Sequence, residues 1–337
     1  MYKFARTFTQ ALVLGAVLGA GTAQGETVLN IAFQDAGFPA LLKRSGLLED
    51  APFKVEWVLL TGPAANLSAL YSGAIDLGHM GDTSLTIEQA NARQEWTHDN
   101  APLKIVAGWR NDYNKDFPPL VTAVRTAANI DDLKDLAGRK WSYNYGGYNH
   151  AQYLVSLIKA GYSEKDIDAK KFNDGSSSAA AFNSGQTEVY SGSLGPILQT
   201  VRQGDAKILL DDRATGIPAL NVWTARTAVL NDPAKDAALK NFFERLSGYW
   251  QWHDEHKEEV VGVLRETLKL TPERAELEYK LRSGAFRPFD AALLEEEQKV
   301  ADALFNGGAI NRNVDVSIGF DARYNDAQRA VVPKTEN

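Results

Sequence analysis

The chain has 337 residues, 44% of them hydrophobic and 23% charged, an ordinary globular composition with room for one large core or two lobes. Its net charge of −7 argues against a nucleic-acid binder, which carries a basic surface. There is no cysteine, which excludes thiol nucleophiles, cysteine-ligated zinc, iron–sulfur clusters and a cysteine-borne lipid anchor.

Lys3 and Arg6 precede an apolar run from Ala11 to Ala20, and Gly21, Ala23 and Gly25 follow. This is the pattern of a cleavable secretory signal. The run is too short to span a bilayer, which takes ~20 residues. Cleavage after Gly25 predicts a mature chain starting at Glu26, free in a periplasm-like compartment.

Alternation of apolar and polar residues predicts strands at Val28–Phe33, Phe53–Leu60, Lys104–Trp109, Leu120–Val124, Ala206–Leu210 and Ala219–Ala225. Helices are predicted at Ala40–Leu48, Thr83–Arg93, Asn129 to Gly138 with Asn129 as cap, and Ala151–Ala160. Beyond Asp232 the pattern turns helical, over Ala234–Val263, Thr271–Leu281 and Ala291–Leu304. Thr271-Pro272-Glu273 reads as N-cap, first-turn proline and first-turn acid.

Two stretches read alike. Ser72-Gly73-Ala74-Ile75-Asp76-Leu77 follows a helix-like run, Ala64–Tyr71. Ser184-Gly185-Gln186-Thr187-Glu188-Val189 follows another, Ser177–Asn183. Each reads as helix, glycine stop, short strand and polar turn. A unit used twice predicts two similar lobes, each with a polar turn at a strand end, where open α/β sheets bind ligands. The two turns, Gly81 to Ser84 and Ser191 to Leu194, are expected to face each other across a cleft. The expected architecture is α/β and two-lobed, each lobe a mixed sheet flanked by helices. Crossover strands near Leu120 and Ala219 bound a leader at 1–25, a first lobe at 26–119, a second at 120–222, and a return with C-terminal helices at 223–337.

Several segments resemble one family. They are Leu29-Asn30-Ile31-Ala32-Phe33-Gln34, the unit ending in Gly81-Asp82-Thr83-Ser84, Asp132-Leu133-Lys134-Asp135-Leu136-Ala137-Gly138-Arg139-Lys140, Gly147-Tyr148-Asn149-His150, and Glu297-Gln298-Lys299-Val300-Ala301-Asp302. The chain resembles the periplasmic solute-binding proteins of ABC importers for aliphatic sulfonates, taurine and nitrate. The resemblance implies a small organic anion held between two lobes, no cofactor, no catalysis, and a monomer that delivers its ligand to a membrane permease served by an ATPase. Where family members often carry a Trp-Asp-Pro triplet, this chain has Ser193-Leu194-Gly195-Pro196, which leaves room in the cleft. An aromatic sulfonate or carboxylate, nitrate or a thiamine precursor are the alternative ligands. Enzymes of thiamine-pyrimidine synthesis share this fold, but resemble a cysteine-bearing active site that this chain lacks.

A sulfonate needs donors: backbone N–H groups at helix N-termini, hydroxyls, amides and an arginine. The candidate ligand residues are therefore Gln34; Asp82, Thr83 and Ser84; Trp109 with Arg110; Gly147, Tyr148, Asn149 and His150; and Ser191, Gly192 and Leu194. Arg110 is weighed against a surface salt bridge to Asp112. Ser156 and Lys159 match a Ser-x-x-Lys pattern without its Lys-Thr-Gly partner. His253, His256 and Glu259 have helical spacing for zinc, but read better as a solvated face.

Overall fold

The computed structural model describes residues 26–110 and 118–329. The leader and Asp112 lie outside the described residues. Two mixed sheets, each flanked by helices, make up the fold. The first is entered through β1 (Thr27–Phe33), α1 (Gly37–Arg44), β2 (Phe53–Leu59), α2 (Pro63–Ser72), β3 (Leu77–Gly81), α3 (Ser84–Asn91) and β4 (Leu103–Arg110). The second follows with β5 (Leu120–Arg125), β6 (Lys140–Asn144), α4 (Gly147–Ala160), β7 (Asp168–Phe172), α5 (Gly175–Asn183), β8 (Val189–Ser193), α6 (Leu198–Arg202), β9 (Ala206–Asp211) and α7 (Asp212–Thr215). The chain then returns through β10 (Asn221–Arg226), α8 (Thr227–Leu230), α9 (Pro233–Leu246), α10 (Tyr249–Glu255), α11 (Lys257–Leu268), α12 (Pro272–Arg282), β11 (Ala285–Phe286), α13 (Ala291–Asn306) and α14 (Asn325–Gln328).

The strand orders match. The first sheet runs β2-β1-β3-β10-β4-β11 and the second β7-β6-β8-β5-β9. In each, three parallel strands meet one antiparallel strand, β10 beside β3 and β5 beside β8. The chain leaves the first sheet after Arg110 and re-enters it at Asn221.

The repeated sequence unit has a structural cause. Gly73 and Gly185 both take φ 78°, the left-handed conformation that ends a helix. After each, the chain bonds back in the same way: Ala74 N to Ala69 O at 2.9 Å, and Gln186 N to Ala181 O at 2.9 Å. The acid of each unit then fastens the neighbouring parallel strand, β1 or β6. Asp76 accepts from Asn30 N at 3.0 Å and pairs with Arg226 and Lys235. Glu188 accepts from Lys140 N at 3.1 Å and pairs with Arg139 at 2.8 Å. Both acids therefore serve strand register.

Two expectations are corrected. Asn129 to Gly138 is no single helix: Asn129 itself is left-handed, with φ 52°, and only a 3-10 turn, Leu133–Leu136, follows, capped by Asp132. The long pattern Ala234–Val263 breaks at Ser247-Gly248 and again at His256, giving α9, α10 and α11.

The core of the first sheet packs Trp223, Phe242 and Phe243 beneath β1 and β10. That of the second packs Trp141, Tyr153 and Leu157. Helix α13 serves both sides. Its Leu293 joins the cluster of Leu103 and Val222, while Val300, Ala301 and Leu304 join that of Tyr153. Among the described residues no helix is long and apolar enough to cross a membrane.

A Cβ at Gly185 would meet nothing within 4 Å, so its cost is conformational only. Gly185→Ala should lower the unfolding free energy in urea by about 1–2 kcal/mol and leave ligand affinity unchanged.

Candidate functional site

A cavity of about 590 Å³ lies between the two sheets. The N-terminal residues of four helices line it: Asp35 before α1, Gly62-Pro63 at α2, Gly146 to Asn149 at α4, and Asp174 to Ser176 at α5. Two of these ends carry a carboxylate. Asp35 accepts from Gly37 N at 2.7 Å, and Asp174 from Ser177 N at 2.8 Å. The other two have glycine caps in the same conformation, Gly62 with φ 79°, ψ 158° and Gly146 with φ 80°, ψ 156°, and neither has a side-chain cap. They also abut, since a Cβ on Gly146 would lie 3.1 Å from Pro63 Cβ. Two helix ends of positive partial charge thus meet with unfilled N–H groups, an arrangement that favours an anion.

The wall contributed by the first sheet is aromatic. His79 stacks on Phe33 at 4.2 Å and on Trp109 at 5.1 Å, and Phe33 stacks on Phe38 at 4.5 Å. Burial pulls the His79 ring down to about 3, so it is neutral at ordinary pH. Tyr148 donates to Asn221 Oδ1 across the cleft at 3.2 Å. Burial pushes this phenol up to about 12.

Helix α12 closes one side. Arg274 donates to Gly195 O at 2.7 Å and pairs with Glu278 at 2.5 Å. Arg282 pairs with Glu278 at 3.0 Å and with Asp35 at 3.0 Å. Burial opposes ionisation of Asp35, but the Arg282 guanidinium outweighs it and holds the carboxyl below its ordinary range. Burial likewise opposes charge on Arg282, yet Asp35 and Glu278 raise its affinity for the proton. Both guanidinium groups of the lining are therefore already matched by carboxylates.

Of the residues singled out in the sequence, Gln34, Trp109, Gly147, Tyr148, Asn149 and Leu194 line the cavity. Asp82, Thr83, Ser84, Arg110, His150, Ser191 and Gly192 do not. Asp82 is turned to the returning chain, accepting from Leu220 N at 2.6 Å and Thr83 N at 2.7 Å. Thr83 and Ser84 are buried at the start of α3. Arg110 donates to Pro218 O at 3.4 Å. His150 stacks on Tyr143 at 5.1 Å. Ser191 is tied into the second core through Thr122 at 2.7 Å and Trp141 at 3.0 Å. A Cβ on Gly192 would meet Tyr190 Oη.

Gly81 of the first turn and Ser193 and Leu194 of the second both line the cavity. Opposite Gly81 stands Tyr148, whose N would lie 2.7 Å from an added Cβ, and opposite Gly195 stand Leu281 and Arg274. Sequence reading missed Arg274, Glu278 and Arg282, because α12 reaches the site from the far end of the chain. It also passed over Gly62-Pro63, although a glycine before a helix-starting proline is a local sign of an open N-terminus.

The patterns set aside earlier are dispersed. Ser156 is buried on Thr122 at 2.7 Å, while Lys159 is exposed. His253 is buried rather than solvated, stacked on Tyr279 at 4.6 Å, while His256 meets Trp252 O and Glu259 pairs with Arg44.

A second polar cluster sits behind the site. Glu297 of α13 is buried, its two oxygens have no donor, and its carboxyl faces Asp82. Burial pushes Asp82 up to about 7, against the opposing pull of the Leu220 and Thr83 amides. Burial and then Asp82 itself raise Glu297 well above the carboxylate range. Two such carboxyls retain a proton between them.

Residues 41–220 match the family model described as NMT1/THI5 like. No curated protein sequence matches the chain significantly. Among solved structures, the alkanesulfonate-binding protein SsuA of Xanthomonas axonopodis pv. citri bound to MOPS is similar at TM-score 0.70 and 21% identity, over 88% of this chain and 98% of that one. The periplasmic nitrate-binding protein NrtA of Synechocystis PCC 6803 is similar at TM-score 0.67 and 16% identity, over 91% and 89%. The desulfurization enzyme DSZB is similar at TM-score 0.58 and 12% identity, over 90% and 99%. At these identities the likeness is one of fold, the two-lobed fold of periplasmic binding proteins.

Two outcomes are expected from this geometry. Gly81→Ala should push the two sides of the cleft apart at Tyr148 and weaken ligand binding about tenfold or more, read by calorimetry. The second concerns pH. Unfolded, Asp82 and Glu297 ionise near pH 4; folded, they keep a proton to higher pH. The folded state then binds more protons, so stability is complete below about pH 4 and falls as pH rises toward and past 7. The melting temperature should drop between about pH 5 and about pH 8, and Glu297→Gln should drop less over the same interval.

Proposed function

The chain belongs to the NMT1/THI5-like family, and we propose that it is the solute-binding component of an ABC importer that captures an organic sulfonate between two lobes. The lobes of this reading are residues 26–119 with 223–337, and residues 120–222, behind a leader at 1–25 that directs export to the periplasm. The observation that carries the ligand class is the meeting of two uncapped helix N-termini, at Gly62 and at Gly146, in one cavity. An anion there satisfies N–H groups from both sides, so its binding favours the closed form over the open one. The matched arginines add no net charge. A sulfonate, which stays singly charged at any ordinary pH, suits donors that are themselves neutral.

A volume of about 590 Å³ falls within the range of sites for drug-sized ligands, ~300–1,000 Å³. It exceeds what a bare inorganic oxyanion fills, and so favours a sulfonate with an organic tail over nitrate. An aliphatic tail is the first reading. The stacked wall of Phe38, Phe33, His79 and Trp109 favours a second, an aromatic tail. In either case the protein binds and hands its ligand to a permease without converting it.

Melting the protein with taurine, butanesulfonate, benzenesulfonate, nitrate and sulfate tests this. A sulfonate at about 100 times its Kd should stabilise by about 2.7 kcal/mol, a rise of several degrees. If no sulfonate raises the melting temperature, the ligand class is lost. If a sulfonate is consumed on incubation, the binding role is lost instead.

A further inference from the structure

We infer that the Tyr249 hydroxyl forms a second subsite of the cavity, one that takes a neutral hydrogen-bonding group, a hydroxyl or a carbonyl, on the tail of the organic anion. The inference rests on the cavity being an organic-anion site, as proposed above.

Tyr249 opens α10 and lines the cavity. The residue is 2% exposed, its ring held by Phe38 at 5.1 Å, Trp250 at 5.6 Å and Trp252 at 6.1 Å. Its hydroxyl makes no hydrogen bond among the described residues, yet it is not sealed in. The ring nitrogens of His79 and the indole N–H of Trp250 are closed off from solvent, and this oxygen is not. The charged groups that act on it are Arg282, Asp35 and Asp254, and all three are engaged elsewhere. Arg282 pairs with Asp35 and Glu278, and Asp254 accepts from Ser283 Oγ at 3.0 Å. This part of the lining is built by α10, α12 and the start of α1, whereas the two open helix ends belong to α2 and α4.

Packing calls for the ring here and not for the hydroxyl. The neighbours of the ring are aromatic, and a phenylalanine would pack against them alike. In the open cavity solvent serves the hydroxyl. A tail that reaches it displaces that solvent and loses affinity unless it returns the hydrogen bond, which a plain alkyl or phenyl tail cannot do. The charges beside the hydroxyl are matched, Asp35 and Glu278 against Arg274 and Arg282, so a second charge on the tail finds no free counter-ion there. A phenol both donates and accepts, which suits a neutral hydroxyl or carbonyl. Burial raises its hold on the proton, so it remains a donor at any ordinary pH. The charged head is left to the helix N-termini.

The test is calorimetry on the wild type and Tyr249→Phe with two pairs of probes, butanesulfonate with 4-hydroxybutanesulfonate, and benzenesulfonate with 4-hydroxybenzenesulfonate. In at least one pair the hydroxylated compound should bind the wild type about tenfold more tightly than its parent. In Tyr249→Phe, its fold verified by a melting curve, that ratio should fall to about one. A ratio near one in the wild type for both pairs, or a tenfold ratio that persists in Tyr249→Phe, overturns the inference and leaves the sulfonate reading intact. If none of the four binds the wild type, the sulfonate reading falls and this inference with it. Wild type labelled at tyrosine Cζ decides the matter should the variant not fold. The Tyr249 resonance should move further on saturation with the hydroxylated compound than with its parent, and equal shifts refute the contact.

Discussion

Two helix ends of like polarity are pressed together at the floor of the cleft, and neither is capped. Side-chain caps contribute about 0.5–2 kcal/mol each; Asp174, Thr271 and Asp290 supply them at α5, α12 and α13, and Asp35 accepts from Gly37 N at the start of α1. At α2 and α4 that stabilisation is forgone. Glycine at both caps lets the backbones approach, where any side chain would separate them. In the proposed reading an anion would supply what the sequence withholds, and only with the two sides together. On that reading closure and recognition would be one event, driven by the same amides.

The remaining architecture holds those ends in register. The equivalent acids of the repeat, Asp76 and Glu188, lock β3 onto β1 and β8 onto β6. These strands and the helices that precede them then carry the cleft residues as rigid units. Small residues stand where the sides touch: Gly81 against Tyr148, Gly195 against Leu281, and Gly62 against Asn173. Behind the cavity, Asp82 fixes the returning chain at Leu220, next to Ala219 in the left-handed conformation. Helix α13 bridges both cores there and brings Glu297 against Asp82. The buried carboxyl pair thus sits where the returning chain re-enters the first sheet.

Much of the fold is legible in the sequence because its signals are local. The glycine stops at Gly73 and Gly185, the strand alternation, and the Thr271-Pro272-Glu273 helix start each act within a few residues. Asn129 misled because an asparagine suits a left-handed turn as well as a helix cap, and the choice is made by Asp132 downstream. The long helical pattern after Asp232 concealed two breaks, because Gly248 and His256 interrupt the helix without interrupting the apolar face. The glycine loop at Gly147 was found for its backbone freedom. Arg274, Glu278 and Arg282 were not, since their meeting with Asp35 depends on how the chain returns, which periodicity does not carry.

Asp82 and His79 show why residue type alone could not sort the site. They are three residues apart at the end of β3, both buried and both polar. The sequence favours Asp82 as the ligand residue, for an acid at a helix start beside a polar turn looks functional, and offers no such reason for His79. The structure reverses their surroundings. Asp82 finds two backbone donors and a partner carboxyl within the protein, so its polarity is spent on the joint between the sheets. His79 finds aromatic rings and no partner. A buried polar group whose needs are met inside the chain holds the fold together.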